Sequence, residues 1–198
     1  PDDVVKEIGA DTMRLYIMFI GDFEKTATWS TNAVRGCKKF LDRCWNLMDM
    51  AEDNDQISAK NESIIHKTIK KVTSDIDELN TAIAALMALV NAFYANGLTK
   101  GDLSMLMLML SPFAPHMVEE MWELTGFAAK SGKMAMQMSW PAYDEAKTID
   151  ANVEMAVQVN GKLKGTVNVP VDSDEAAVME AVKAVEKVQK ATEGMAVV

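Results

Sequence analysis

Few residues of this 198-residue chain have the type and spacing that catalysis needs. His116 follows Pro115 at the start of a helical run, and no Ser, Cys or Asp partner stands at a spacing that would define a reaction. Cys37 and Cys44 lie about 10 Å apart by helical rise, too far for a disulfide. No nearby pair of histidines completes a zinc site with them. We therefore predict no catalytic residue and no metal site, and two buried cysteines in a reducing compartment.

Basic side chains collect in three short clusters, although the formal net charge is −9. Because phosphate binding depends on local charge rather than on the total, each cluster is a candidate contact for a nucleic-acid backbone. Taken alone, Lys67, Lys70 and Lys71 also suit a solvated helix face, because Lys67 and Lys71 are four residues apart and share a side. The clusters are Arg35, Lys38, Lys39 and Arg43; Lys67, Lys70 and Lys71; and Lys162 with Lys164.

The elements that position these residues are helices as far as about residue 125, because apolar residues recur at three- and four-residue steps. The longest apolar runs surround Leu86 and Leu106, and both are predicted to be core helices rather than membrane spans. Short connections between the helices predict an antiparallel bundle. The predicted helices cover residues 2–8, 11–20 (capped by Asp11), 30–50 (with Val34, Cys37, Leu41, Cys44, Trp45 and Met48 facing the core), 58–73, 74–94, 102–110 and about 115–122.

The period changes to two after Trp140-Pro141, which predicts a β-hairpin over about residues 153–169. A three-residue loop, 159–161, would pair Val157 with Leu163 and bring the apolar faces of the two strands together. Ser173 is predicted to cap a helix, a shorter helix follows, and residues 195–198 resemble the first half of another strand. The fold class is therefore mainly α, a helix bundle followed by a small α+β domain.

Several segments resemble the C-terminal third of leucyl-tRNA synthetases of the bacterial type. Residues 9–16 and 40–45 are similar to strings that follow the KMSKS loop in class I synthetases. Residues 66–73 and 80–87 are more specific and resemble HKTIKKVTEDI and NTAIAxLMEL.

Two later segments extend this resemblance over nearly the whole chain. Residues 111–122 resemble LAPFAPHxxEELW, and residues 157–165 resemble VQVNGKxRG, which marks the C-terminal domain of the bacterial leucyl enzymes. Lys164 stands where that family often has Arg, so a point charge remains but bidentate phosphate contact is lost.

The resemblance implies three parts: connecting helices over residues 1–28, a helical-bundle anticodon-binding domain of the class I type over 29–147, and a truncated C-terminal domain over 148–198. It implies a cytoplasmic enzyme that ligates leucine to tRNA(Leu) with ATP and Mg²⁺. The HIGH and KMSKS motifs do not occur in these 198 residues, so the fragment alone is expected to be inactive and to hold no cofactor.

The implied partners are tRNA(Leu) and the catalytic domain of the same chain, with no membrane. Members of this type do not read the anticodon, so the contacts would be to phosphates and RNA shape. The predicted RNA-binding residues are Arg35, Lys38, Lys39, Lys67, Lys70, Lys71, Lys162 and Lys164.

Two other functions remain open from the sequence. One is a free-standing helical interaction module without an RNA role, and the other is the equivalent region of a valyl- or isoleucyl-tRNA synthetase. Residues 11–20 are apolar on nearly all sides, which predicts exposure of several of Met13, Tyr16, Ile17 and Ile20 and self-association through that helix in the isolated fragment.

Overall fold

Two units make up the chain, Pro1–Thr148 and Ile149–Val198. The computed structural model describes residues 2–21, 26, 28–149 and 152–192. The first unit contains α1 (Asp2–Ile8), α2 (Ala10–Phe19), α3 (Thr31–Met50), α4 (Glu62–Ser74), α5 (Leu79–Asn96), α6 (Lys100–Leu110), α7 (Pro115–Leu124) and α8 (Phe127–Ser131), with two short strands, β1 (Ala51–Glu52) and β2 (Leu98–Thr99).

Several helix ends fall at the residues that local sequence marks for them. Ser30 caps α3, because its hydroxyl accepts the backbone N–H of Ala33 at 3.3 Å. Gly97 ends α5 with a φ of 72°, a conformation that glycine adopts without steric cost. Pro115 occupies the first turn of α7. These predictions are confirmed, whereas α4 and α5 begin at Glu62 and Leu79, later than the sequence predicted.

The core-facing side of α3 differs from the predicted one by a small rotation. Val34, Cys37, Leu41 and Cys44 are buried as predicted. Trp45 is exposed, so its assignment to the core was wrong. Phe40 and Leu47 are buried as well, and they widen the apolar stripe on the side away from the tryptophan.

Helix α5 is the centre of the first unit, since α2, α3, α4 and α6 all pack against it. Within the described residues it is also the helix that is long and apolar enough to cross a membrane by length and composition. One face of this helix packs in the hydrophobic core of the first unit, as in the core helix of a globular domain. The fully buried members are Ala82, Ile83, Leu86, Leu89, Val90 and Phe93.

A buried carboxylate joins the start of α6 to the loop before α4. Asp102 forms a capping box with Thr99, and its Oδ2 also accepts the Asn61 amide at 2.8 Å and the Ser58 hydroxyl at 2.7 Å. These hydrogen bonds replace the water that a buried carboxylate loses. They hold the loop beside β2, which pairs in parallel with β1. The sequence did not predict this strand pair.

The prediction for the helix at residues 11–20 was correct in part. Ile17 and Ile20 are exposed, but Tyr16 is buried, so its predicted exposure was wrong. Its hydroxyl accepts the backbone N–H of Ser30 at 2.9 Å, and its ring meets Trp29 edge-on at 4.8 Å. Asp11 does not cap α2, which begins at Ala10 with Gly9 as its N-cap residue and has no side-chain cap. Self-association through α2 stays a prediction.

The second unit contains an antiparallel hairpin of β3 (Asn152–Val159) and β4 (Lys162–Pro170), followed by α9 (Glu175–Lys183) and α10 (Glu186–Thr192). Asp174 rather than Ser173 caps α9, since its carboxylate accepts the backbone N–H of Ala177 at 2.8 Å. Val157, Val167, Val169 and Val188 form its small core. The strand predicted at residues 195–198 lies outside the described residues.

The hairpin turn has two residues, so the predicted three-residue loop was wrong. Val159 pairs with Lys162, and Asn160 and Gly161 both have positive φ, as a type I′ turn requires. A register shift then pairs Val157 with Gly165, leaving out Lys164. Because this bulge moves the pairing by one residue, the apolar faces still coincide.

Candidate nucleic-acid interface

The exposed side of α3 carries the first predicted cluster. Arg35, Lys38 and Lys39 are all exposed. Lys38 forms an ion pair with Asp42 one turn along the helix. Arg35 and Lys39 are four residues apart and so share a side of the helix, and neither has an ion-pair partner among the residues that the structure describes. Two positive charges on this face are therefore available to an anionic partner.

Arg43, the fourth basic residue of this cluster, serves packing instead. Its guanidinium lies 4.6 Å from the centroid of the Tyr94 ring on α5, a cation–π distance. The Tyr94 hydroxyl donates to the backbone carbonyl of Arg43 at 3.0 Å. Arg43 thus fixes α3 to α5.

The lysines of α4 are engaged with carboxylates of the same chain. Lys70 lies 2.5 Å from the Glu145 carboxylate, and hydrogen bonding to that group raises the pKa of the lysine. Lys71 lies 2.7 Å from Asp75, and this hydrogen bond, with one from Thr81, lowers the pKa of Asp75 to about 2. Lys67 is half-buried. Phosphate would have to compete with acids at Lys70 and Lys71.

Residues 139–148, which we call the α4 strap, explain why Glu145 is there. The strap runs along α4, and the Asp144 backbone N–H donates to Nδ1 of the buried His66 at 3.0 Å. Lys147 lies 2.7 Å from Glu62, which raises the pKa of the lysine. One side of α4 is therefore occupied by contacts with the α4 strap, through the His66 imidazole and two ion pairs.

The third predicted cluster lies at the tip of the hairpin in the second unit. Lys162 is exposed and follows the turn directly, and Lys164 is half-buried at the register shift. The eight predicted residues thus lie on three elements: α3 and α4 in the first unit and the hairpin in the second.

Two further exposed side chains, Arg14 and Trp140, were missed by sequence reasoning. Arg14 is exposed on α2, and its guanidinium donates to the Pro112 carbonyl at 3.1 Å. Trp140 is exposed, yet its indole Nε1–H donates to Thr73 Oγ1 on α4 at 2.8 Å. The signal that could have identified Trp140 is an aromatic residue in a stretch without apolar periodicity.

The buried thiols have no part in the surface. Cys37 and Cys44 are free and buried in the core. Burial raises the pKa of both thiols, and a protonated thiol is neither a nucleophile nor a metal ligand.

Comparison with known proteins identifies the class to which this helical bundle belongs. Residues 61–193 match the family described as the anticodon-binding domain of tRNA ligase, and the chain is a member of that family. The curated relatives are leucine–tRNA ligases. The chain is 48% identical over 201 residues to the ligase of Alkaliphilus oremlandii and covers 25% of it. It is 37% identical over 206 residues to the ligase of Chlorobium limicola, again covering 25% of the relative.

A solved structure has the same fold. It is a ternary complex of LeuRS, tRNA and LeuAMS from Agrobacterium radiobacter, with a TM-score of 0.70 and 28% identity over 97% of this chain. The chain covers 27% of that structure. All these relatives are therefore about four times as long as the region compared here.

Proposed function

We propose that this chain is the tRNA-binding C-terminal region of a cytoplasmic leucyl-tRNA synthetase. The observation that carries the proposal is membership of the anticodon-binding family together with two cations on one face of α3, Arg35 and Lys39, that have no ion-pair partner within the described part of the chain. The relatives are named leucine–tRNA ligase, and this name supports leucine and its tRNA as the substrates of the whole enzyme.

In this proposal the chain positions tRNA(Leu) and other parts of the enzyme carry out ligation. The basic side chains contact phosphates, which fixes the orientation of the tRNA but carries no sequence information. ATP and Mg²⁺ act at a catalytic domain that these 198 residues do not include. A helical interaction module without RNA binding is the alternative that the test below separates.

An electrophoretic shift with the 198-residue chain tests this proposal. The probes are a tRNA(Leu) transcript and the same transcript with its anticodon replaced. We expect both to be retarded at the same protein concentration, because phosphate contacts do not distinguish anticodons. If neither RNA is retarded at low salt, the interaction module is favoured instead.

A further inference from the structure

The indole of Trp140 is held in one orientation although the side chain is 39% exposed. Its Nε1–H donates to Thr73 Oγ1 at 2.8 Å, and the Thr73 hydroxyl in turn donates to the Ile69 carbonyl at 2.6 Å. The Thr73 hydroxyl proton therefore points at the Ile69 carbonyl, and the hydroxyl oxygen accepts the indole N–H. An exposed tryptophan fixed in this way presents a preorganised aromatic face.

Two clefts adjoin this indole, and both also include Pro112. One, of about 300 Å³, is lined by Trp140, Pro112, Ile76 and Thr73. Ile76 is itself exposed, so the opening has apolar walls that face solvent. A flat, apolar group placed here contacts an aromatic face on one side and aliphatic groups on the other.

The second cleft, of about 310 Å³, contributes a charge. Arg14 is the sole charged residue among its described lining residues, and the Glu119 carboxylate lies behind two of them, accepting the backbone N–H groups of Ala135 and Met136 at 2.8 Å. The guanidinium donates to the backbone carbonyl of Pro112, and Arg14 has no ion-pair partner among the residues that the structure describes. A ligand that combines a flat apolar group with an anion therefore suits the indole, the apolar walls and the Arg14 guanidinium.

We infer that the Trp140 clefts form a binding site for one unpaired nucleotide of a tRNA, with the base stacked on the indole and a phosphate near Arg14. Aromatic stacking beside a cation is the general means by which proteins hold single-stranded RNA. The inference rests on the proposed tRNA-binding function and adds a base contact to it. An apolar protein segment would use the walls but not the charge, so the observations favour the nucleotide.

Substitution at Trp140 tests the aromatic contact. With a tRNA(Leu) transcript as the probe and the full 198-residue chain, Trp140→Ala is expected to weaken binding about tenfold. Trp140→Phe keeps an aromatic face and is expected to bind within about threefold of the unchanged protein, whereas Trp140→Leu should resemble the alanine variant. Leu124→Ala, at an exposed apolar position outside both clefts, is the control and should bind normally.

Tryptophan fluorescence gives a second readout that does not depend on affinity. The transcript should quench the emission of the unchanged protein, and the part of that quenching due to Trp140 should be absent in Trp140→Phe. Equal quenching in both proteins would overturn the stacking contact. Full affinity of Trp140→Leu would also overturn it and would assign the clefts to an apolar segment.

Arg14→Gln tests the phosphate contact. The slope of log K against log salt is expected to fall by about 0.7 in magnitude, the value for one contact on a single strand. Lys190→Gln, which removes a charge already paired with Glu186 on α10, should leave the slope unchanged. An unaltered slope in Arg14→Gln would overturn the charge contact.

These results distinguish the inference from the function on which it rests. Binding of tRNA by the unchanged chain, with no effect at Trp140 and Arg14, contradicts the inference alone. No binding of tRNA by the unchanged chain contradicts the proposed function and the inference together.

Discussion

Asp11 connects two helices that are distant in sequence. Its carboxylate accepts the Met117 backbone N–H at 2.7 Å and lies 2.7 Å from Nδ1 of His116. Ala114, the N-cap residue of α7, has no side chain that could accept this N–H. A residue of α2 therefore provides the helix cap that α7 lacks, and His116 has a structural role beside it.

The first prediction follows from this cap. Asp11→Ala should lower the free energy of unfolding by about 1 kcal/mol, the usual effect of losing an N-cap acceptor. Asp11→Asn keeps an oxygen acceptor and should lose less. Urea unfolding of both variants measures the difference, and equal losses would show that the charge rather than the hydrogen bond matters.

Asp75 gives a prediction about pH. Hydrogen bonds from Lys71 and Thr81 lower its pKa from 3.8 to about 2. A carboxyl group with a lowered pKa stabilises the fold above the pKa of the unfolded chain, and this stabilisation is lost as the pH falls toward the folded pKa. Asp75→Asn should therefore lower Tm at pH 7, and the difference from the unchanged protein should shrink progressively between about pH 5 and pH 1. A difference that stays constant as the pH falls through this range would exclude this linkage.

Two glycines show how the packing of elements constrains single positions. A Cβ at Gly101, at the start of α6, would lie 2.4 Å from the Gln56 carbonyl carbon and 2.6 Å from the Asp55 carbonyl oxygen. Both are backbone atoms, which cannot move without shifting the loop. A Cβ at Gly36, on the exposed side of α3, would have no neighbour within 4 Å.

We therefore predict opposite effects of one substitution. Gly101→Ala should destabilise the protein by about 2 kcal/mol through overpacking. Gly36→Ala should stabilise it by up to about 1 kcal/mol, because alanine is the better helix former. Denaturant unfolding of the two variants provides the comparison. Equal tolerance of both would contradict the close approach of the loop to α6.

The elements that the sequence predicted well are those whose signals are local. Ser30 and Pro115 mark helix starts through their own hydrogen bonding and ring geometry, so their neighbours along the chain suffice. Tyr16 was placed wrongly because its burial depends on Trp29 and Ser30, beyond the end of its helix. The predicted hairpin register was wrong because the turn is one residue shorter than predicted, and a bulge further along β4 restores the pairing of the apolar faces.

The basic clusters show the same division between local and distant information. Their positions along α3 and α4 could be read from helical spacing. That Lys70 is paired with Glu145 could not, because the two residues are 75 apart in the chain and meet only through the α4 strap. The Trp140 clefts were missed for the same reason, since α2, α4 and the loop before α7 all contribute to them.

At the scale of the whole molecule, the two helical clusters should contribute unequally to RNA binding. Arg35→Gln with Lys39→Gln should reduce the magnitude of the salt slope by about 1.4–1.8, because two phosphate contacts are lost. Lys70→Gln with Lys71→Gln removes the same charge from ion-paired positions and should reduce it less. Binding of tRNA(Leu) at several salt concentrations compares them, and a larger effect on α4 would mean that RNA displaces Glu145 and Asp75.

The salt dependence of tRNA binding by the unchanged 198-residue chain tests the central claim most directly. If this acidic protein holds tRNA through its local basic surfaces, log K should fall linearly with log salt. With at least three phosphate contacts, the slope should be about −2 or steeper. A slope near zero, or no binding at low salt, would contradict a tRNA-binding role for this region.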